Sequence, residues 1–141
     1  VRSIAFSPEA RWMAVAGARL GVVPDLNGSW DTVTIYDVAT WKPSGVVQRP
    51  LRGEAGRHIP ALAFSPDGRL LALVSWDRTV RLLHVPGVDG RSPESDSWTE
   101  AAHFVTDGEL RALAFSPDAA VLAMSELTRG DAVLMPTREQ R

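Results

Sequence analysis

The chain is 141 residues long, with 45% hydrophobic and 23% charged residues, the balance of one globular domain rather than a disordered chain. Its net charge of −2, from 15 basic and 17 acidic residues, excludes a strongly basic nucleic-acid footprint and an acidic tail. There is no cysteine, hence no disulfide, thiolate metal site or cysteine nucleophile, and no apolar run approaches the roughly 18 residues of a membrane span.

The chain opens on Val1 inside a strand-like segment, without the order of regions that marks a signal peptide, so we expect a longer parent chain. The first strand runs through Ser3-Ile4-Ala5-Phe6 and stops at Ser7-Pro8. Proline presets φ for the first inner position of a tight turn and has no N–H to give a ladder. A second apolar run follows at Trp12–Ala16, then an insertion at Ala18–Trp30, a β-branched third strand at Thr32–Val38 and a fourth near Gly45–Arg49. The order then returns. Ile59–Pro66 ends in Ala-Phe-Ser-Pro, Leu70–Val74 and Thr79–Val85 are the next strands, and Pro86–Ser97, rich in Gly, Pro, Ser and Asp, is a loop before a strand at Trp98–Val105. The third copy comprises Leu110–Pro117, Val121–Met124 and Ala132–Met135, with no fourth strand evident after Met135. The intervals between Phe6, Phe64 and Phe115 both exceed the ~40–45 residues of a four-stranded propeller blade, which the insertions explain.

Alternation along the first strands gives one face of small residues (Ser3/Ala5, Ala61/Ala63, Ala112/Ala114) and one of large ones (Ile4/Phe6, Leu62/Phe64, Leu113/Phe115). Neither face is polar, so both must be covered. Sheets stacked face to face around an axis meet that demand, and the small residues let neighbouring sheets approach closely.

The run Ala-Phe-Ser-Pro-Asp-Gly-Arg-Leu-Leu-Ala at 63–72, followed by Ser75-Trp76-Asp77-Arg78-Thr79-Val80-Arg81-Leu82, resembles the WD-repeat family of β-propellers. The resemblance covers nearly the whole chain and implies an all-β propeller segment of about three four-stranded antiparallel blades, about 1–50, 58–105 and an incomplete 110–136, in a single partial domain over 1–141. It also implies a His, Ser/Thr, Asp and Trp hydrogen-bonding tetrad, which is incomplete in every repeat. Ser75 and Asp77 match in the second repeat and Asp31 matches the turn aspartate in the first. Tyr36 and Leu83 stand where the family has Trp, Asp37 keeps the closing aspartate, and His84 replaces it in the second repeat. Pro66, Asp67 and Gly68 are expected turn residues.

Three histidines, His58, His84 and His103, have no ligand-like spacing, so no metal or cofactor is expected. Ser7, Ser65 and Ser116 recur at one structural position before Pro, which points to turn chemistry, since a catalytic residue need appear only once. No Gly-x-Ser-x-Gly and no phosphate-binding loop occur. An enzyme would need a convergent His, Asp or Ser cluster that the sequence does not offer, and we expect none. In a propeller the loops from strand four to strand one and from two to three share one end: Ala18–Trp30, Pro50–His58, Trp76–Arg78 and Thr106–Glu109. Trp30 and Trp76, each in Ser-Trp-Asp, together with Arg52, Arg57 and Arg78, are therefore the candidate partner-binding residues, aromatics and arginine being enriched in binding hot spots. The expected function is a non-catalytic, cytoplasmic protein–protein interaction scaffold or sensor, part of a larger protein, binding neither nucleic acid nor membrane. The alternative is a homo-oligomer in which copies close a ring through their open blade faces.

Overall fold

The computed structural model of the chain describes residues 2–19, 30–47, 59, 61–76, 78–86, 98–127, 130 and 132–137, with the backbone alone at 18, 19, 30–32 and 45–47. Eleven strands and no helix occur among these residues. They are β1 (Ser3–Phe6), β2 (Trp12–Arg19), β3 (Trp30–Asp37), β4 (Lys42–Val47), β5 (Ala61–Phe64), β6 (Leu70–Val74), β7 (Thr79–His84), β8 (Thr99–Val105), β9 (Leu110–Phe115), β10 (Val121–Glu126) and β11 (Ala132–Pro136). Each sheet is an antiparallel meander, β1-β2-β3-β4, β5-β6-β7-β8 and β9-β10-β11. The three inner strands lie side by side, with β5 between β1 and β9. The Ser3 hydroxyl accepts a hydrogen bond from the Leu62 amide at 3.2 Å, which ties β1 to β5.

The Ser-Pro turns explain why each first strand reverses. Ser65 Oγ accepts from the Leu70 amide at 3.0 Å and donates to Asp67 Oδ1 at 2.5 Å, while Asp67 Oδ1 accepts from the Arg69 amide at 3.2 Å. Ser116 repeats this with Val121, Asp118 and Ala120 at 3.0, 2.6 and 3.0 Å. In the first turn Ser7 Oγ accepts from the Trp12 amide at 2.9 Å. The corner of each turn is left-handed, at Ala10 (φ 57°), Gly68 (φ 72°) and Ala119 (φ 57°).

Between the first two sheets, Trp12, Ala14, Ala16, Val33 and Ile35 pack against Leu62, Phe64, Leu71, Leu73, Leu83 and Val85. Between the second and third, Ala72, Val74, Val80 and Leu82 pack against Leu110, Leu122 and Met124. At each seam the small residues of one first strand thus join the large residues of the next, Ala5 with Leu62 and Phe64, and Ala61 with Leu113 and Phe115. β6 is buried along its whole length, because the middle sheet alone is covered on both sides.

The long hairpin differs from the sequence reading. β2 extends to Arg19 and β3 begins at Trp30, with Ala18 paired to Asp31 and Arg19 to Trp30. The insertion is therefore narrower than Ala18–Trp30; its inner part, 20–29, lies outside the described residues. Antiparallel pairing carries the ladder past the blade, an extension that the apolar pattern does not encode. β4 starts at Lys42 rather than Gly45: its Pro43 lies on an edge strand, where a missing N–H is tolerated.

Candidate functional site

The meander topology gathers the starts of β1, β5 and β9, the β6–β7 turn and the β8–β9 connection at one rim. The β6–β7 turn is tight: the Ser75 amide donates to Thr79 O at 2.9 Å and the Arg78 amide to Ser75 O at 3.1 Å. Arg78 is exposed and left-handed, with φ 69°. A non-glycine residue there is uncommon and strained. Thr106 holds it in place, donating from both its amide (2.8 Å) and its hydroxyl (3.1 Å) to Arg78 O. The Thr106 hydroxyl also lies 2.9 Å from Gly108 O, so two rim connections are fastened together.

Trp76 is half-buried in this turn. The guanidinium carbon of Arg2 lies 5.9 Å from its ring centroid, and that of Arg111 lies 5.7 Å away. Both are cation–π distances. One indole from the second blade therefore collects arginines from the first and third. Arg111 reaches it through a fault in the ladder. Ser125 pairs with Ala112 and Glu126 with Leu110, leaving Arg111 unmatched in a β-bulge. A bulge bends its strand and re-aims a side chain. Leu110, fully buried in the seam, anchors the bend.

The sequence singled out Trp76 and Arg78, and the structure places both on this rim. Arg52, Arg57 and Asp77 lie outside the described residues. Trp30 is not in a loop before the third strand but is its first residue, paired with Arg19; Asp31 is likewise a strand residue and not in a turn. Ser75 is buried. Tyr36 is half-buried between Met13 and Pro43. Asp37 closes the β3–β4 turn, its Oδ1 accepting from the amides of Ala39 (2.9 Å) and Thr40 (3.3 Å). Pro66 is exposed in its turn, and Gly68 packs beside Glu9 of the first blade's turn. Arg2 and Arg111 were missed. Both stand four residues before a repeat phenylalanine, a recurrence that was visible in the sequence.

A second aromatic cluster, also missed, sits at the opposite end of the first seam. Trp98 meets Trp12 edge-on (5.7 Å, 80°) and Phe64 likewise (6.2 Å, 69°). Arg11 lies over Trp12 at 4.6 Å. Among the described residues no group of three or more His, Asp or Glu side chains is placed to hold a metal. His103 lies 3.3 Å from Glu100 on the surface. Among the described residues no helix is long and apolar enough to cross a membrane.

Stacked antiparallel meanders joined inner strand to inner strand are the blades of a β-propeller. A family model described as WD domain, G-beta repeat, matches residues 45–83. The crystal structure of Saccharomyces cerevisiae Sqt1 superposes with a TM-score of 0.70 at 15% identity, over 96% of this chain and 31% of that one. The chain thus spans less than a third of the length of that structure, a likeness of fold. No curated protein matches the chain in sequence. Residues 45–83 are thus similar to a WD repeat, and the chain as a whole has the fold of a β-propeller segment.

Proposed function

We propose that the chain is a cytoplasmic, non-catalytic recognition scaffold or sensor within a larger WD-repeat protein, and that its rim at Trp76 and Arg78 binds a protein partner. The family generally serves as rigid protein-interaction scaffolding and is generally non-catalytic. The observation that carries the reading is the convergence of three blades on one half-buried indole, beside a strained, exposed arginine. A large flat aromatic flanked by arginine is the side-chain set that dominates binding hot spots. Strain held in place by neighbouring hydrogen bonds is characteristic of functional positions. The candidates Trp30, Arg52 and Arg57 remain part of this proposed surface.

The test is panning of a random peptide library on the immobilised chain. Selected peptides should bind Trp76→Ala at least about tenfold more weakly, the scale of a hot-spot truncation, with thermal unfolding little changed. Selected peptides that ignore both Trp76→Ala and Arg78→Glu would sink the reading.

A second reading, ring closure by copies of the chain, is favoured by one further observation. The outer face of the first blade exposes Ile4 (53%) and Phe6 (57%), and the outer face of the third exposes Ala112 and Ala114. These are the same large and small sides of the first strands that pack at the two seams. Within a larger propeller they would receive neighbouring blades instead.

A further inference from the structure

We propose that Trp41 anchors a second protein-binding site, at the end of the blades opposite the Trp76 rim, its indole entering an apolar pocket of the partner. The site stands independently of the Trp76 rim.

Trp41 closes the β3–β4 turn. Trp12, the first residue of β2, pairs with Asp37, the last of β3, and the Val38 amide donates to Arg11 O at 2.9 Å. The turn therefore lies beside the first Ser-Pro turn. Of the tryptophans whose side chains are described, Trp12 is buried, Trp76 and Trp98 are half-buried, and Trp41 is 62% exposed. Among the described residues its indole makes no hydrogen bond, ring contact or cation–π contact. The blade thus gains little packing from this ring.

The backbone at Trp41 is left-handed, with φ 56°. A bulky residue there is an outlier, because its Cβ crowds the adjoining carbonyl. The turn demands this backbone: the Trp41 amide donates to Asp37 O at 2.7 Å. Glycine fills such a place without strain, and asparagine tolerates it. Tryptophan instead adds strain and exposes apolar surface, and the packing of its own blade offsets neither. Burial of the ring in a partner offsets both. Asp37 keeps the turn rigid, its Oδ1 accepting from the amides of Ala39 (2.9 Å) and Thr40 (3.3 Å). An anchor held out on such a support loses little freedom on binding. Tryptophan is also among the residues most enriched in binding hot spots. One large ring on a tight turn fits a concave partner, whose apolar walls cover the ring while an acceptor among them takes the Nε1–H. The other exposed large apolar residues, Ile4, Phe6, Val105, Leu127 and Leu134, lie outside this turn. It therefore lacks the broad apolar area on which attachment to a lipid surface depends.

The experiment pans a disulfide-constrained peptide library on the immobilised full chain and measures each selected clone against Trp41→Ala, Trp41→Phe and Trp76→Ala. One class of clones should bind Trp41→Ala at least about tenfold more weakly, Trp41→Phe with intermediate affinity and Trp76→Ala as the parent. Far-UV circular dichroism checks that each variant is folded. In urea titration Trp41→Gly should unfold at a higher midpoint than the parent, and Trp41→Ala at no lower one. Clones that depend on Trp76 but never on Trp41 would overturn this site and leave the Trp76 rim standing. Clones indifferent to both tryptophans would overturn both sites. Clones weakened equally by both substitutions would report a shared loss of structure, and the second site would fall. A lowered midpoint in both Trp41→Gly and Trp41→Ala would show that the ring serves folding, again against the proposal. Co-sedimentation with phosphatidylcholine vesicles that Trp41→Ala abolishes would assign the ring to a lipid surface and overturn the protein pocket.

Discussion

The corner residues of the Ser-Pro turns adopt the same left-handed backbone with different side chains. Ala10 sits at φ 57° and Gly68 at φ 72° in equivalent places. Each donates its amide to the turn serine carbonyl at 2.9 Å. A Cβ in this region crowds the adjoining carbonyl, which costs roughly 1–2 kcal/mol, and only glycine escapes it. Ala10 is exposed, so removing its methyl group sacrifices no packing. Ala10→Gly should therefore raise the unfolding free energy by about 1 kcal/mol, read by urea titration. Gly68→Ala should lower it by a similar amount. Its new Cβ would meet Glu9 Oε2 at 2.9 Å, but that carboxylate ends a flexible side chain, so the backbone conformation is the larger cost. Equal stabilities for the two pairs would show that the turns are too loose to feel the corner residue.

At the end of the first seam, Trp98 is held by ring packing. Trp98, immediately before β8, packs edge-on against Trp12 and Phe64, and among the described residues its buried Nε1 has no hydrogen-bond partner. The ring contributes packing while the N–H is a burden, since an unpaired buried donor costs about 1–3 kcal/mol. Trp98→Phe should thus stay within about 1 kcal/mol of the parent, whereas Trp98→Ala should lose about 3 kcal/mol or more; thermal unfolding distinguishes them. A large loss in Trp98→Phe would mean that the N–H is satisfied after all. The strand pattern around these residues was legible because alternation and Ser-Pro turns act locally: β6 falls on Leu70–Val74 as the apolar run predicts. The cluster of Trp12, Phe64 and Trp98 was not legible, because it joins residues distant in sequence across a seam. The same holds for Arg111, whose aim depends on a bulge that leaves no mark in composition. The long β2–β3 ladder was hidden for another reason: residues such as Arg19 and Trp30 are paired by backbone bonds that do not select their side chains.

The molecule as a whole is polar in the structural sense: the first strand of every blade has a large side and a small side, and all three point the same way. Both seams set the large side of one first strand against the small side of another, so whatever covers Ile4 and Phe6 should present small residues there, and whatever covers Ala112 and Ala114 should present large ones. Such an interface is heterologous, with two different patches meeting head to tail. If the chain associates with itself through these faces, two single variants make the geometry visible. Phe6→Lys spoils the large face and keeps the small one, and Ala114→Glu does the reverse. Neither variant alone retains two complementary faces, so each should sediment as a 15.3 kDa monomer. Mixed in equal amounts, the intact small face of one meets the intact large face of the other, and a one-to-one pair of twice that mass should form in analytical ultracentrifugation. Pairing by Ala114→Glu alone would mean that like face packs on like. An unmodified chain that stays monomeric would leave both faces to the neighbouring blades of a longer propeller, since exposed apolar surface of this kind is rarely left uncovered.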